Sequence, residues 1–160
     1  MVETMSFTEF MEPIDVCVDS RGSFGVTTPT GPSPITCVCV GLNDDILVGT
    51  CTALMLYDGG GRYLRKISLS PPGQNNRLMT LACAICPQTG NIVSAVVDPR
   101  KNRSYLTVSQ YKGNFLFSLD SHGSRLKRPC GVCIATTSKW NGMCFVVDSA
   151  THSVKAFQYK

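Results

Sequence analysis

Histidine and tryptophan are nearly missing from this chain, with two His and one Trp in 160 residues. Neither His122 nor His152 has a Cys or carboxylate set nearby at ligand spacing, which excludes the usual sequence-contiguous metal sites. Charged residues are also scarce, 16% against 43% apolar, so a disordered polar chain is excluded and a core is within reach. No apolar run approaches the roughly 20 residues of a membrane-spanning helix. Residues Met1 to Glu12 are acidic and lack the basic start and apolar centre of a signal peptide. The motifs Gly-x-Ser-x-Gly, the Walker Gly-rich loop and His-Glu-x-x-His are absent. With no nucleophile, acid and base assembled, neither an enzyme nor a cofactor is expected.

What the chain has in abundance is punctuation: 14 Gly and nine Pro, which break it too often for long helices. It also has nine Cys, an odd count without a secretion signal, which reads as free thiols in a reducing, cytoplasmic compartment. Charge is segregated. Residues 1–61 hold eight acids and one base, whereas residues 62–128 hold eleven bases against Asp98 and Asp120. That asymmetry suggests a polyanionic partner for the middle of the chain.

One apolar pattern recurs along the sequence, as Val16-Cys17-Val18, Val38-Cys39-Val40, Ala82-Cys83-Ala84 and Val132-Cys133-Ile134. Val96-Val97-Asp98 and Val146-Val147-Asp148 keep phase with it, and Gln110-Tyr111-Lys112 recurs as Gln158-Tyr159-Lys160. The unit is about 45 residues long and reads as four short strands bounded by Gly, Asp, Asn or Pro. The strands fall at 35–40, 46–50, 53–58 and 62–69, then at 80–86, 91–97, 103–110 and 114–120. The third unit gives 131–136, 143–148 and 153–159, with no fourth strand. Four-stranded units of this length are the mark of β-propeller blades.

The segment Pro129-Cys130-Gly131-Val132-Cys133-Ile134, followed by Val146-Val147-Asp148-Ser149-Ala150-Thr151-His152-Ser153-Val154-Lys155-Ala156-Phe157, resembles an NHL-repeat blade. The ending looks like the closing blade of tripartite-motif (TRIM) NHL proteins. The resemblance covers residues 33–160, while residues 13–28 match only the first two strands of a blade. It implies an all-β fold, a partial β-propeller of about three four-stranded antiparallel blades (about 33–70, 78–121 and 128–160). An incomplete N-terminal blade would lie in a segment of residues 1–32. Three blades and a half do not close a ring, so the expectation is a piece of a longer propeller, a dimerising arc, or an open stack that self-associates through its sheet edges.

In an antiparallel four-stranded unit, the second-to-third-strand turns share one end with the links between units. By that rule Arg77, Arg100, Lys101, Arg103, Arg125, Lys127 and Arg128 gather at one end, with Tyr105 the nearest aromatic. Asp44, Asp45, Asp58 and Trp140 fall at the other end. A row of cations suits a phosphate backbone, and Arg also stacks on bases. The NHL resemblance implies that this end binds single-stranded RNA, as in post-transcriptional regulation. A solvated basic surface and a protein-docking face remain open beside it. In the docking reading, the chain is the partner- or substrate-binding scaffold of a TRIM-type ubiquitin ligase whose RING finger is absent here. Of the cysteines, Cys83 and Cys86 lie three apart in a strand and point to opposite faces, which opposes a zinc site. Cys130, flanked by Pro129 and Gly131, could still lie in a turn, which leaves its geometry open. Asp98 and Asp148 read as strand-end residues of the repeat.

Overall fold

A computed structural model describes residues 35–74, 77–119 and 126–160. The N-terminal segment of residues 1–32 and its incomplete blade, together with Arg125 and His122, lie outside the described residues. Within them the fold is all-β. The first sheet holds β1 (Ile35–Val40), β2 (Ile46–Thr50), β3 (Leu54–Tyr57) and β4 (Tyr63–Ile67). The second holds β5 (Met79–Ile85), β6 (Ile92–Asp98), β7 (Arg103–Ser109) and β8 (Phe115–Ser118). The third holds β9 (Pro129–Ile134), β10 (Met143–Asp148) and β11 (Ser153–Gln158). Each is an antiparallel meander in chain order, and none closes on itself.

The sequence dictates these strands through β-branched runs that end at turn formers. Ile92-Val-Ser-Ala-Val-Val fills β6 and stops at Asp98-Pro99, where proline denies the ladder a donor. The Asp98 carboxylate then accepts the Arg100 N–H at 3.0 Å and fixes the turn. Asn102 and His152 hold the same turn position in successive sheets, both at φ 48, a left-handed conformation that Asn tolerates well. In the turn after β7, Gly113 has φ +103, and a Cβ there would lie 2.9 Å from the Lys66 carbonyl oxygen. Only glycine fits that close approach.

The sheets stand side by side, with β1 against β5 and β5 against β9. Between the first and second, Leu47, Leu54, Leu56 and Ile67 pack with Cys83, Ile85 and Ile92. Between the second and third, Val93, Ala95, Leu106 and Val108 pack with Cys144, Val146, Phe157 and Tyr159. Each fully buried branched side chain there contributes about 1.5–3 kcal/mol of transfer free energy. A third cluster, Val38, Ile46, Val48 and Tyr57, is buried on the far face of the first sheet. Sheet twist carries the outer strands across one another. Ser68, just past β4, donates its N–H to the Gly113 carbonyl at 2.8 Å and accepts from the Ser109 hydroxyl at 2.6 Å.

One expectation is corrected. Cys130 lies inside β9, which begins at Pro129, two residues before the expected start. Proline is tolerated there as the first residue of a strand, and a register shift beside Asp148 absorbs it.

Candidate nucleic-acid interface

The site forms where β6 and β10 end. Asp148 is fully buried at the tip of β10 and accepts the backbone N–H groups of Lys127 (3.0 Å) and Arg128 (2.9 Å). The Lys155 ammonium reaches the same carboxylate at 2.7 Å. Burial pushes this carboxyl's pKa up, but those donors outweigh it and hold it well below the usual carboxylate range. The link entering the third sheet is therefore clamped, and the Lys127 and Arg128 side chains are left exposed. The Ser149 N–H and hydroxyl both donate to the Arg128 carbonyl, at 2.9 and 3.0 Å.

The same link is tied to the neighbouring turn. The Ser104 hydroxyl donates to the Lys127 carbonyl at 3.3 Å, which brings Arg103 beside Lys127 and Arg128. Arg100, Lys101 and Arg103 are all exposed around that turn. Lys101 lies 3.8 Å from Asp98, whose carboxylate is buried. Arg77 is exposed just before β5, at the end where Met79 pairs with Val97. Tyr105 is half-buried rather than a free platform. Burial, then the nearby Asp98 charge, raise its pKa, with Arg103 opposing them. Among the described residues, the two acids at this end, Asp98 and Asp148, are thus withdrawn, while six cations face solvent: Arg77, Arg100, Lys101, Arg103, Lys127 and Arg128.

The opposite end is mixed and built differently. Tyr111, in the turn after β7, donates its hydroxyl to the Leu42 carbonyl at 3.0 Å and to the Asp45 carboxylate. Burial and then the Asp45 bond push its pKa up. Asp58 closes its own hairpin by accepting from Gly60 and Arg62, and lies 3.0 Å from the Arg62 guanidinium. Trp140 sits at this end too, 43% exposed, in a short turn of 3-10 helix over Ser138–Trp140.

The Cys83 and Cys86 thiols face different sheets, although Cys86 lies one residue past the end of β5. Cys83 turns toward the first sheet, its sulfur 3.5 Å from that of Cys37. Cys86 turns toward the third, where burial raises its pKa but hydrogen bonds from Thr89 and Tyr159 outweigh this and hold it at about 7. Among the described residues, no three His, Cys, Asp or Glu side chains gather as a metal site requires. Nor, among them, is any helix long and apolar enough to cross a membrane. The Lys155–Asp148 and Tyr111–Asp45 contacts were missed from sequence: the first is a diagonal pair across the β10–β11 hairpin that the register alone would have offered, while the second joins two sheets that only the packing brings together.

No family model and no curated protein matches the chain. Among solved structures, it is similar to a protein of unknown function from Bacteroides caccae, at 18% identity with a TM-score of 0.55. The match covers 85% of this chain and 46% of that one, so this chain spans about half the length of its neighbour. At that identity the likeness concerns the fold alone.

Proposed function

We propose that this chain is a non-catalytic, cytoplasmic binding module of the NHL-repeat β-propeller type, its three sheets acting as blades, and that its basic end binds single-stranded RNA. One observation carries the reading. The Asp98–Arg103 turn and the Lys127–Arg128 link are hydrogen-bonded into one surface whose described acids, Asp98 and Asp148, are buried, leaving the cations exposed to phosphates, with Lys101 in only a long 3.8 Å ion pair to Asp98. Arginine dominates the set, and its planar fork suits both phosphate pairing and stacking on unpaired bases.

The test is fluorescence anisotropy of a labelled pool of single-stranded RNA oligonucleotides titrated with the full chain. With six cations engaged, log affinity falls with log salt at a slope of about −4, at roughly −0.7 per neutralised phosphate. The triple variant Arg100→Glu, Lys101→Glu, Arg103→Glu abolishes binding while the far-ultraviolet spectrum is kept. Binding that survives this reversal, or that ignores salt, overturns the proposal and favours the protein-docking scaffold of a TRIM-type ligase.

A further inference from the structure

The first sheet departs from the repeat at the end of its second strand. The second and third sheets have Val97-Asp98 and Val147-Asp148 there, whereas the first has Gly49-Thr50. Gly49 is not among the glycines with positive φ, so its backbone conformation does not require a glycine. Space does. Gly49 lies opposite Cys37 in the β1–β2 pair, and a Cβ there would lie 2.4 Å from the Cys37 sulfur. The volume that a valine would fill is thus occupied by a thiol. That thiol meets the second sheet, its sulfur 3.5 Å from the sulfur of Cys83 in β5. Both belong to the apolar cluster between the two sheets. Cys37 is 1% exposed, whereas Cys83, at 8%, also lines a groove of about 400 Å³ along the inner strands β1, β5 and β9.

We propose that Cys37 and Cys83 are a redox pair, a modification site for hydroperoxides that closes to a disulfide between the first and second sheets. The sulfurs approach from 3.5 Å to about 2.05 Å, by side-chain rotation in two strands where more than one χ1 well is open. Cys83, the thiol that borders the groove, attacks one peroxide oxygen as its thiolate. An S–O bond forms and the O–O bond breaks, which leaves a sulfenic acid and releases the second oxygen, protonated, as water or an alcohol. The Cys37 sulfur then attacks the Cys83 sulfur. The S–S bond forms, the S–O bond breaks, and hydroxide leaves with the Cys37 proton as water. Two thiols thus give two electrons to one hydroperoxide, and a small dithiol returns them by exchange. A reducing compartment keeps the pair as thiols at rest, so the bond records an oxidative pulse. It ties β1 to β5 across a separation of 46 residues, at an interface otherwise held by apolar packing and the Tyr111 contacts. None of this rests on RNA binding.

The experiment treats the full chain, dilute and native, with hydrogen peroxide, caps remaining thiols with N-ethylmaleimide and maps the peptides without reduction. The expected product is one linked pair, Cys37 with Cys83, lighter by two hydrogen atoms and reopened by dithiothreitol. The oxidised chain unfolds at a urea midpoint higher by about 1–2 M than the reduced chain. Cys37→Ala shows no such rise, and in it dimedone adds to Cys83, trapping the sulfenic acid that has lost its partner. Should Cys37→Ala fail to fold, the linked peptide and midpoint of the wild type decide alone. Cys37 and Cys83 remaining thiols after the exposed Cys130 and Cys133 are oxidised would overturn the inference. So would a bond from either to another cysteine, or a linked pair with an unchanged midpoint.

Discussion

The second and third sheets are two versions of one repeat set in different surroundings. Both end their second strand in Val-Val-Asp and turn through a left-handed residue, Asn102 in one and His152 in the other. Yet the carboxylates do different work. Asp98 stays within its own turn, accepting from Arg100 and lying near Lys101. Asp148 reaches across to the preceding link and also takes the Lys155 ammonium, which stands where the second sheet has Tyr105. A repeat thus fixes where an acid sits, and its neighbours decide whether it closes a turn or joins two sheets.

Removing Asp148 breaks that distinction with the largest effect. Asp148→Ala leaves Lys155 and two link N–H groups without their acceptor, and the expected loss is about 3–5 kcal/mol, read by urea denaturation. Asp98→Ala removes one turn bond and a long ion pair and costs about 1 kcal/mol. Equal losses from the two variants would show that both acids are merely turn formers. The pH dependence has the same source. The folded-state pKa of Asp148 is below its unfolded value, so its contribution is complete above about pH 4. It is lost as pH falls through the folded value. The Asp148→Asn variant therefore shows a flatter acid limb of stability than the wild type.

The first and second sheets are joined at their other end by Tyr111. Tyr111→Phe deletes the hydroxyl that serves the Leu42 carbonyl and the buried Asp45 carboxylate. The expected loss is about 1–3 kcal/mol, measurable as a lower urea midpoint. A neutral result would mean that water replaces the phenol, and that this junction is held by the apolar packing that includes Leu47 and Ile85.

The strands were legible because apolar alternation is interrupted at nearly every turn by Gly, Asp or Asn. Ile92–Asp98 and Met143–Asp148 could be read almost to the residue. The start of β9 was placed two residues late because Pro129 and Gly131 signal a turn locally, while pairing to β10 overrides them. The gathering of Arg103 with Lys127 and Arg128 followed from the parity of connections, which needs no side-chain detail. The link N–H partners of Asp148 and the partners of Tyr111 did not follow, because sheet twist and spacing choose among many polar residues at each end. The exposure of Val147 and Val154 on the third sheet was hidden for another reason. Both look like core residues in any alternation pattern, and only the assembled stack shows that nothing among the described residues covers them.

The interface between the second and third sheets also contrasts with itself from end to end. Asp148 clamps one end, and Cys86 with Tyr159 clamps the other. Both clamps use an acid whose folded pKa is depressed, but they act in separate pH windows. For Cys86, held at about 7 by Thr89 and Tyr159, the contribution is full above the unfolded thiol value of about 8.5 and is lost as pH falls through 7. Wild-type stability therefore rises between about pH 7 and pH 8.5 relative to Cys86→Ala, by less than the acid-limb change assigned to Asp148. Parallel pH profiles for wild type and Cys86→Ala would show that Cys86 serves only as a buried apolar filler beside Tyr159. The two sheets would then be clamped at the basic end alone, leaving the opposite end to hydrophobic packing.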